Sequence, residues 1–269
     1  MDYLEAFVLG VVQGATEFLP VSSSGHSVLV PAIFGLGSPD LNAVVVAHLG
    51  TLLAVVLYFL RDISAIVRAV LRAIARRDLM ETTEARLGWF LLGGTIPAAI
   101  IGVLFNDRFE ALFTDPRWAA GFLLVTAALL VAGERLLSGR KSLAEMGWSD
   151  ALTIGVAQVL ALLPGVSRSG TTIVAGLLRG LDRPTAARYS FLLSMPVIFG
   201  AGIVQVPQII ANPTASAAWS VFLVTFLTAF VVGYGCIALL LSWLRRRGLY
   251  PFAIYCALFG SIYLMLSFF

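Results

Sequence analysis

The sequence predicts an all-α integral membrane protein, with six transmembrane helices plus two re-entrant helical hairpins in an inverted-topology repeat. Three observations lead there. The 269-residue chain is 59% hydrophobic and only 12% charged, with a mean hydropathy of +0.93. A soluble domain carries about 25% charged residues. Apolar runs of 17 or more residues recur along the chain, whereas a β-barrel would show alternating ten-residue segments. One polar phrase appears twice, 145 residues apart, each time in apolar surroundings.

The long apolar runs place crossings at roughly 43–60, 87–105, 118–136, 189–207, 218–242 and 249–268. Charge then sets orientation. Fifteen of the 18 Lys and Arg fall in the loops after the first, third and fifth crossings and before the second, fourth and sixth. By the positive-inside rule those loops are cytoplasmic and both termini lie outside. Arg108 and Arg117 fall in outside loops, and Arg168 falls in neither set. The net charge of +3 is small and reflects cytoplasmic loops rather than nucleic-acid binding. No Lys or Arg precedes Arg61, so the basic start of a signal peptide is not expected. Cys236 and Cys256 both lie in apolar segments and carry no redox information.

Residues 3–36 and 150–180 are each two short apolar pieces flanking a Pro/Ser/Gly break. Pieces this short fall below the roughly 20 residues a crossing needs. Each reads as a re-entrant hairpin, although a pair of short ordinary crossings would satisfy the charge pattern too. Irregular backbone at membrane depth is tolerated where protein or a wet cavity surrounds it. Three crossings separate the two hairpins, so they enter from opposite sides, the first from outside. That is the inverted-repeat plan of many transporters. The whole chain, 1–269, is one membrane domain, with repeat one at about 1–136 and repeat two at about 150–269.

The repeated phrase keeps Gly10/Gly155, Val11/Val156, Gln13/Gln158, Val21/Val166, Ser22/Ser167, Ser24/Ser169 and Gly25/Gly170 identical. Where the copies diverge, Glu17, Ser23 and His26 stand against Leu162, Arg168 and Thr171. Such complementary divergence suggests one composite site. Gln13 and Glu17, four apart, share a helix face. An ionisable group in an apolar segment is costly and functional by default, though Glu17 could also pair structurally with Arg168. Ser23 or His26 can serve as nucleophile where a base lies nearby. His48, within a crossing, is expected to be structural. The second loop, Pro164 to Thr172, opens a helix whose free N–H groups and hydroxyl caps make an anion site, and Arg168 adds a planar fork suited to phosphate. Ser22, Ser24, Gly165, Ser167, Ser169, Gly170, Thr171 and Thr172 complete the substrate-binding set. Neither a Walker A pattern nor zinc-ligand spacing is present. A carboxylate, serine and histidine facing a guanidinium suffice for phosphoryl transfer. Glu17 and Gln13 could hold a divalent ion together with phosphate oxygens.

These segments resemble a known family. Gln13-Gly-Ala-Thr-Glu17-Phe-Leu-Pro-Val-Ser-Ser-Ser-Gly-His26 is similar to its (E/Q)xxxE segment, and Pro164-Gly-Val-Ser-Arg-Ser-Gly-Thr-Thr172 to its PGxSRSxxT segment. They are the two signatures of the undecaprenyl pyrophosphate phosphatase, or bacitracin-resistance, family. Length, hairpin placement and Pro251 to Tyr255 also fit. The resemblance implies an enzyme of the bacterial plasma (inner) membrane. It would hydrolyse the C55 prenyl pyrophosphate lipid to its monophosphate and inorganic phosphate. That recycles the carrier for cell-wall synthesis and lowers bacitracin sensitivity. It implies Mg2+ or Ca2+ dependence, a site open to the periplasmic side, and essential roles for Glu17, Ser23, His26 and Arg168. Gln13, Ser167, Ser169 and Thr172 would form the supporting shell. Gln13 stands at a position the signature also fills with Glu, which leaves Glu17 as the main carboxylate. Partners beyond substrate and bilayer lipid reduce to a possible homodimer. The alternative function is a transporter or flippase of an anionic prenyl-phosphate lipid, which needs anion binding but no nucleophile.

Overall fold

The structure, a computed structural model, describes residues 1–35, 40–137, 139–211 and 219–268. Positions 36 (end of the first hairpin), 218 (start of the fifth crossing) and 269 (end of the second repeat) lie outside the described residues.

The chain opens with a helix broken in two. Helix α1 (Tyr3–Phe18) begins with a capping box in which Asp2 accepts from the Glu5 N–H and Glu5 accepts from the Asp2 N–H. It stops at Leu19, which is extended at ψ 141° ahead of Pro20. Helix α2 (Ser23–Ile33) restarts behind a Ser22 cap held at φ 72°. Four further helices follow: α3 (Leu41–Tyr58), α4 (Leu60–Arg76), α5 (Thr83–Leu104) and the short α6 (Asn106–Leu112). Helix α7 (Pro116–Arg135) leads to the second broken helix, α8 (Trp148–Gln158) with a 3-10 turn at Val159–Leu162, then α9 (Arg168–Leu178). Helices α10 (Arg183–Ala211), α11 (Trp219–Leu244) and α12 (Tyr250–Leu266) complete the fold.

This is an all-α, multi-pass membrane protein. Five helices, α3, α5, α7, α10 and α11, are long and apolar enough to cross a bilayer. They coincide with the first five expected crossings. The sixth, α12, is equally apolar but has 17 residues. At about 1.5 Å per residue, the 11 residues of α2, α8 and α9 reach only about 16 Å, half of a ~30 Å core. Among the described residues the sole β-pairing is an isolated bridge, Lys141 to Leu181. The sequence missed α4 and α6, which lie where connecting loops were expected.

Small residues let the broken helices seat deeply. A Cβ on Gly10 would lie 2.8 Å from the Thr225 carbonyl oxygen of α11, and one on Gly155 would lie 2.3 Å from the Gly94 carbonyl oxygen of α5. So α1 packs on α11, and α8 packs on α5. Between them sits the main core, with Phe18 edge-on to Phe191 at 5.3 Å and the fully buried Tyr189 donating to the Phe90 carbonyl. At the arginine-rich end, buried Asp150 accepts from Lys141 (2.7 Å) and Arg179 (2.9 Å), while Glu134 pairs with Arg183. Those ties hold both ends of the second broken helix and so fix where its central loop falls.

Candidate active site

The two breaks meet. The Ser169 hydroxyl donates to the Leu19 carbonyl at 3.1 Å, and the Gly165 N–H donates to Ser24 Oγ at 3.4 Å. A Cβ on Gly25 would stand 3.0 Å from Gly165 Cα. The equivalent serines make the same local contact in each loop: Ser22 to Ser24 and Ser167 to Ser169, both 3.2 Å. Each cap serine also accepts from the matching glycine N–H, Gly25 or Gly170.

Glu17 lies at the centre, 6% exposed. Its Oε1 accepts from Arg168 Nη2 at 3.1 Å, and its Oε2 accepts from Ser23 Oγ at 2.6 Å and from Gln13 Nε2 at 3.0 Å. A carboxylate bonded to three donors tolerates burial that an unpaired one would not. Arg168 also donates to the Ser190 carbonyl at 3.3 Å, which aims its fork across the gap.

A cavity of about 560 Å³ opens onto this cluster. Glu17, Ser22, Ser23, Ser24, Ser167 and Arg168 form its polar floor. Val44, Val45 and Leu49 of α3 and Val197, Ile198 and Ala201 of α10 form apolar walls. The remaining expected site residues lie behind the floor. Gln13 is fully buried and touches the cavity only through Glu17. Thr171 and Thr172 bond back to the Ser167 and Arg168 carbonyls, and Thr172 also meets Ser190 Oγ at 2.6 Å. Gly165 is at φ +93°, and a Cβ there would lie 2.1 Å from the Ala119 carbonyl oxygen.

The two histidines occupy unexpected places. His26 Nδ1 donates to the Ser22 carbonyl at 2.8 Å, so in the neutral ring Nε2 accepts from the Tyr255 hydroxyl at 2.6 Å. The ring stacks on Phe259 with centroids 4.9 Å apart and is 4% exposed. His26 therefore lies behind the cavity wall. His48 is on that wall, its Nε2 3.8 Å from Glu17 Oε2.

Sequence reasoning missed Thr126 as well. Buried in α7, its hydroxyl donates to the Gly165 carbonyl (2.9 Å) and accepts the Ser167 N–H (3.0 Å). The available signal was a lone hydroxyl inside an apolar crossing.

The sequence profile of the family described as bacitracin resistance protein BacA matches residues 6–262. The chain belongs to the BacA family. Relatives named undecaprenyl-diphosphatase include one from Chlorobium phaeovibrioides, 44% identical over 99% of this chain and 97% of its own length. One from Methanosphaera stadtmanae is 42% identical over 99% of both chains. One from Myxococcus xanthus is 44% identical over 99% of this chain and 89% of its own. Matches this long place both broken helices of this BacA chain inside the shared region.

Proposed function

We propose that this chain is an undecaprenyl-diphosphatase. It hydrolyses undecaprenyl pyrophosphate to undecaprenyl phosphate and inorganic phosphate, recycling the cell-wall lipid carrier and conferring bacitracin resistance. The observation that carries it is the Ser23 hydroxyl, 2.6 Å from Glu17 Oε2 on the wall of a cavity that also presents Arg168. An alcohol hydrogen-bonded to a carboxylate is an activated nucleophile, and the guanidinium beside it supplies the charge a diphosphate needs. Transport of an anionic lipid would use the arginine but has no use for the serine–carboxylate pair.

In the mechanism, the terminal phosphate takes the place of Glu17 as one of the Arg168 partners. Ser23 Oγ attacks phosphorus, its proton passes to Glu17, and the P–O bond to the bridging oxygen breaks to release the prenyl monophosphate. Glu17 gives that proton to the departing monophosphate. Water then attacks the phosphoserine, its proton passing to Glu17 and on to Ser23 Oγ as that O–P bond breaks and inorganic phosphate leaves. The α9 start, capped by Ser167, adds its positive dipole end to the anion site. His26 holds the loop: it ties the Ser22 carbonyl to Tyr255 and so fixes the first turn of α2.

A divalent ion, Mg2+ or Ca2+, fits this donor set. Gln13 Oε1 is buried without a partner, Glu17 adjoins it, and Mg2+ commonly uses one or two carboxylates with substrate phosphates. Glu17 and Gln13 would hold it, and it would neutralise charge on the diphosphate. Among the described residues no group of three or more His, Cys, Asp or Glu is assembled, and oxygens of substrate and water would supply the remaining ligands.

The prenyl tail lies between the apolar walls of α3 and α10. The mouth there includes Leu41, Asn42, Glu110, Gln205 and Ile209, at helix ends away from the arginine-rich loops. The site thus opens outward, on the periplasmic side of the plasma membrane, with both termini on that side and α12 as the sixth crossing. The two broken helices are re-entrant hairpins of an inverted repeat. Its support is the pairing of equivalent glycines with equivalent helices, Gly10 on α11 and Gly155 on α5.

The test is metal-dependent phosphate release from undecaprenyl pyrophosphate by purified protein, with label trapping from substrate carrying a labelled terminal phosphate. Wild type should transfer label to Ser23, and Ser23→Ala should neither label nor turn over. Label on His26, or turnover by Ser23→Ala, would reject the assignment.

A further inference from the structure

Helix α4 has three distinct faces. On a helix of about 3.6 residues per turn, Ile66, Val70 and Ala73 share the first. Ile66 and Ala73 are buried, and a Cβ on Gly88 of α5 would lie 2.5 Å from Val70 Cγ2 and 3.0 Å from Ile66 Cγ2. That face pins α4 to the protein. The second carries Leu60, Val67, Leu71 and Ile74, which are 53%, 49%, 62% and 51% exposed. Water would not tolerate such a stripe, but a bilayer would. The third carries Arg61, Arg68, Arg72 and Arg76, all exposed. Arg76 pairs with Glu81, and the helix's own acid, Asp62, is taken by Arg188 at 2.7 Å. Among the described residues Arg61, Arg68 and Arg72 have no acidic partner, and Arg68 merely folds back on the Ser64 carbonyl.

Beside the exposed stripe lies a groove of about 240 Å³ between α4, α5 and α10. Ile63, Val67, Leu71, Leu92, Leu192 and Pro196 are among its lining, and every lining residue is apolar or glycine. Uncompensated cations, an exposed apolar stripe and an apolar slot therefore adjoin one another, and the slot shares no lining residue with the Glu17 cavity.

We propose that α4 is an interfacial helix that selectively binds an anionic glycerophospholipid. The headgroup phosphate sits on the row Arg61, Arg68 and Arg72, and one acyl chain lies in the groove. Charge complementarity selects this occupant: the arginines have no protein anion to satisfy them, and the slot beside them accepts only hydrocarbon. A juxtamembrane arginine contributes about fivefold to binding an anionic lipid, and three contribute roughly a hundredfold.

The test is lipid retention by native mass spectrometry, after exchange into mixed micelles of equimolar phosphatidylglycerol and phosphatidylcholine. Wild type should retain phosphatidylglycerol at least about tenfold over phosphatidylcholine. Arg61→Gln/Arg68→Gln/Arg72→Gln should bring the ratio near unity while phosphatase turnover persists. Val67→Trp, which fills the slot without touching charge, should lower retention of both lipids and covers the case in which the triple variant does not fold. Arg108→Gln, a cation on α6, should behave as wild type. Equal retention of the two lipids by wild type, or undiminished preference in the triple variant, would overturn the proposal. So would displacement of phosphatidylglycerol by equimolar prenyl diphosphate, which would make α4 a second substrate site. Dimer formation that the triple variant abolishes would instead assign the arginine face to a second copy of the chain.

Discussion

Arg168→Gln, alone and combined with Glu17→Gln, separates an ion pair that holds the fold from one that performs chemistry. Removing Arg168 strands a carboxylate that is 6% exposed. Breaking a fully buried pair costs about 3–5 kcal/mol. Here Arg168 is 14% exposed and Glu17 keeps its bonds from Ser23 and Gln13, so about 2–3 kcal/mol is expected. At about 2–4 °C per kcal/mol for a chain of this size, the single variant should unfold roughly 5–10 °C lower. The double variant carries no stranded charge and should regain most of that loss. Activity must behave differently. Glu17→Gln removes the proton acceptor, worth about 10²–10⁴ in rate, and the missing guanidinium removes charge stabilisation of about 10²–10³. The double variant should therefore be restored in stability yet remain below about one-thousandth of wild-type turnover. The assays are thermal unfolding in detergent, followed by tryptophan fluorescence, and phosphate release. A double variant that recovered both stability and activity would make the pair structural only and refute the catalytic roles.

Other substitutions probe single contacts. Gly165→Ala meets both a φ of +93° and a backbone oxygen 2.1 Å from the new Cβ. It should cost about 2–4 kcal/mol, read as a lowered unfolding temperature with loss of turnover. Thr126→Val leaves the buried Ser167 N–H without its acceptor. About 1–3 kcal/mol should be lost, and KM should rise as the α9 start loosens. Tyr255→Phe removes the hydroxyl donor to His26 Nε2. Turnover should fall less than about tenfold, consistent with positioning, and a fall as deep as that of Ser23→Ala would return His26 to the chemistry.

Much of the site was legible because its polar residues stand out against an apolar background. Glu17 and Arg168 are conspicuous in segments that otherwise repel charge, and the repeated Gly/Ser phrase located both breaks. Five crossings followed from hydropathy alone. What sequence could not supply was direction. His26 lies beside three serines in sequence, but α2 turns its ring toward Tyr255 and Phe259, residues from the far end of the chain. His48 looked like an ordinary crossing residue, yet α3 carries it to the cavity wall. Helix α4 was hidden for another reason. Its arginines mark a cytoplasmic loop by composition, and only their spacing, at 61, 68, 72 and 76, reveals a helical face.

The stitch from Ser169 to Leu19 and from Gly165 to Ser24 has a consequence for synthesis. Ser23, the proposed nucleophile, leaves the ribosome 145 residues before Arg168, the proposed diphosphate ligand. A chain cut short anywhere between them holds a serine with nothing to aim at. On the proposed mechanism, hydrolytic power is withheld until translation has passed the second bend and the two partners have joined.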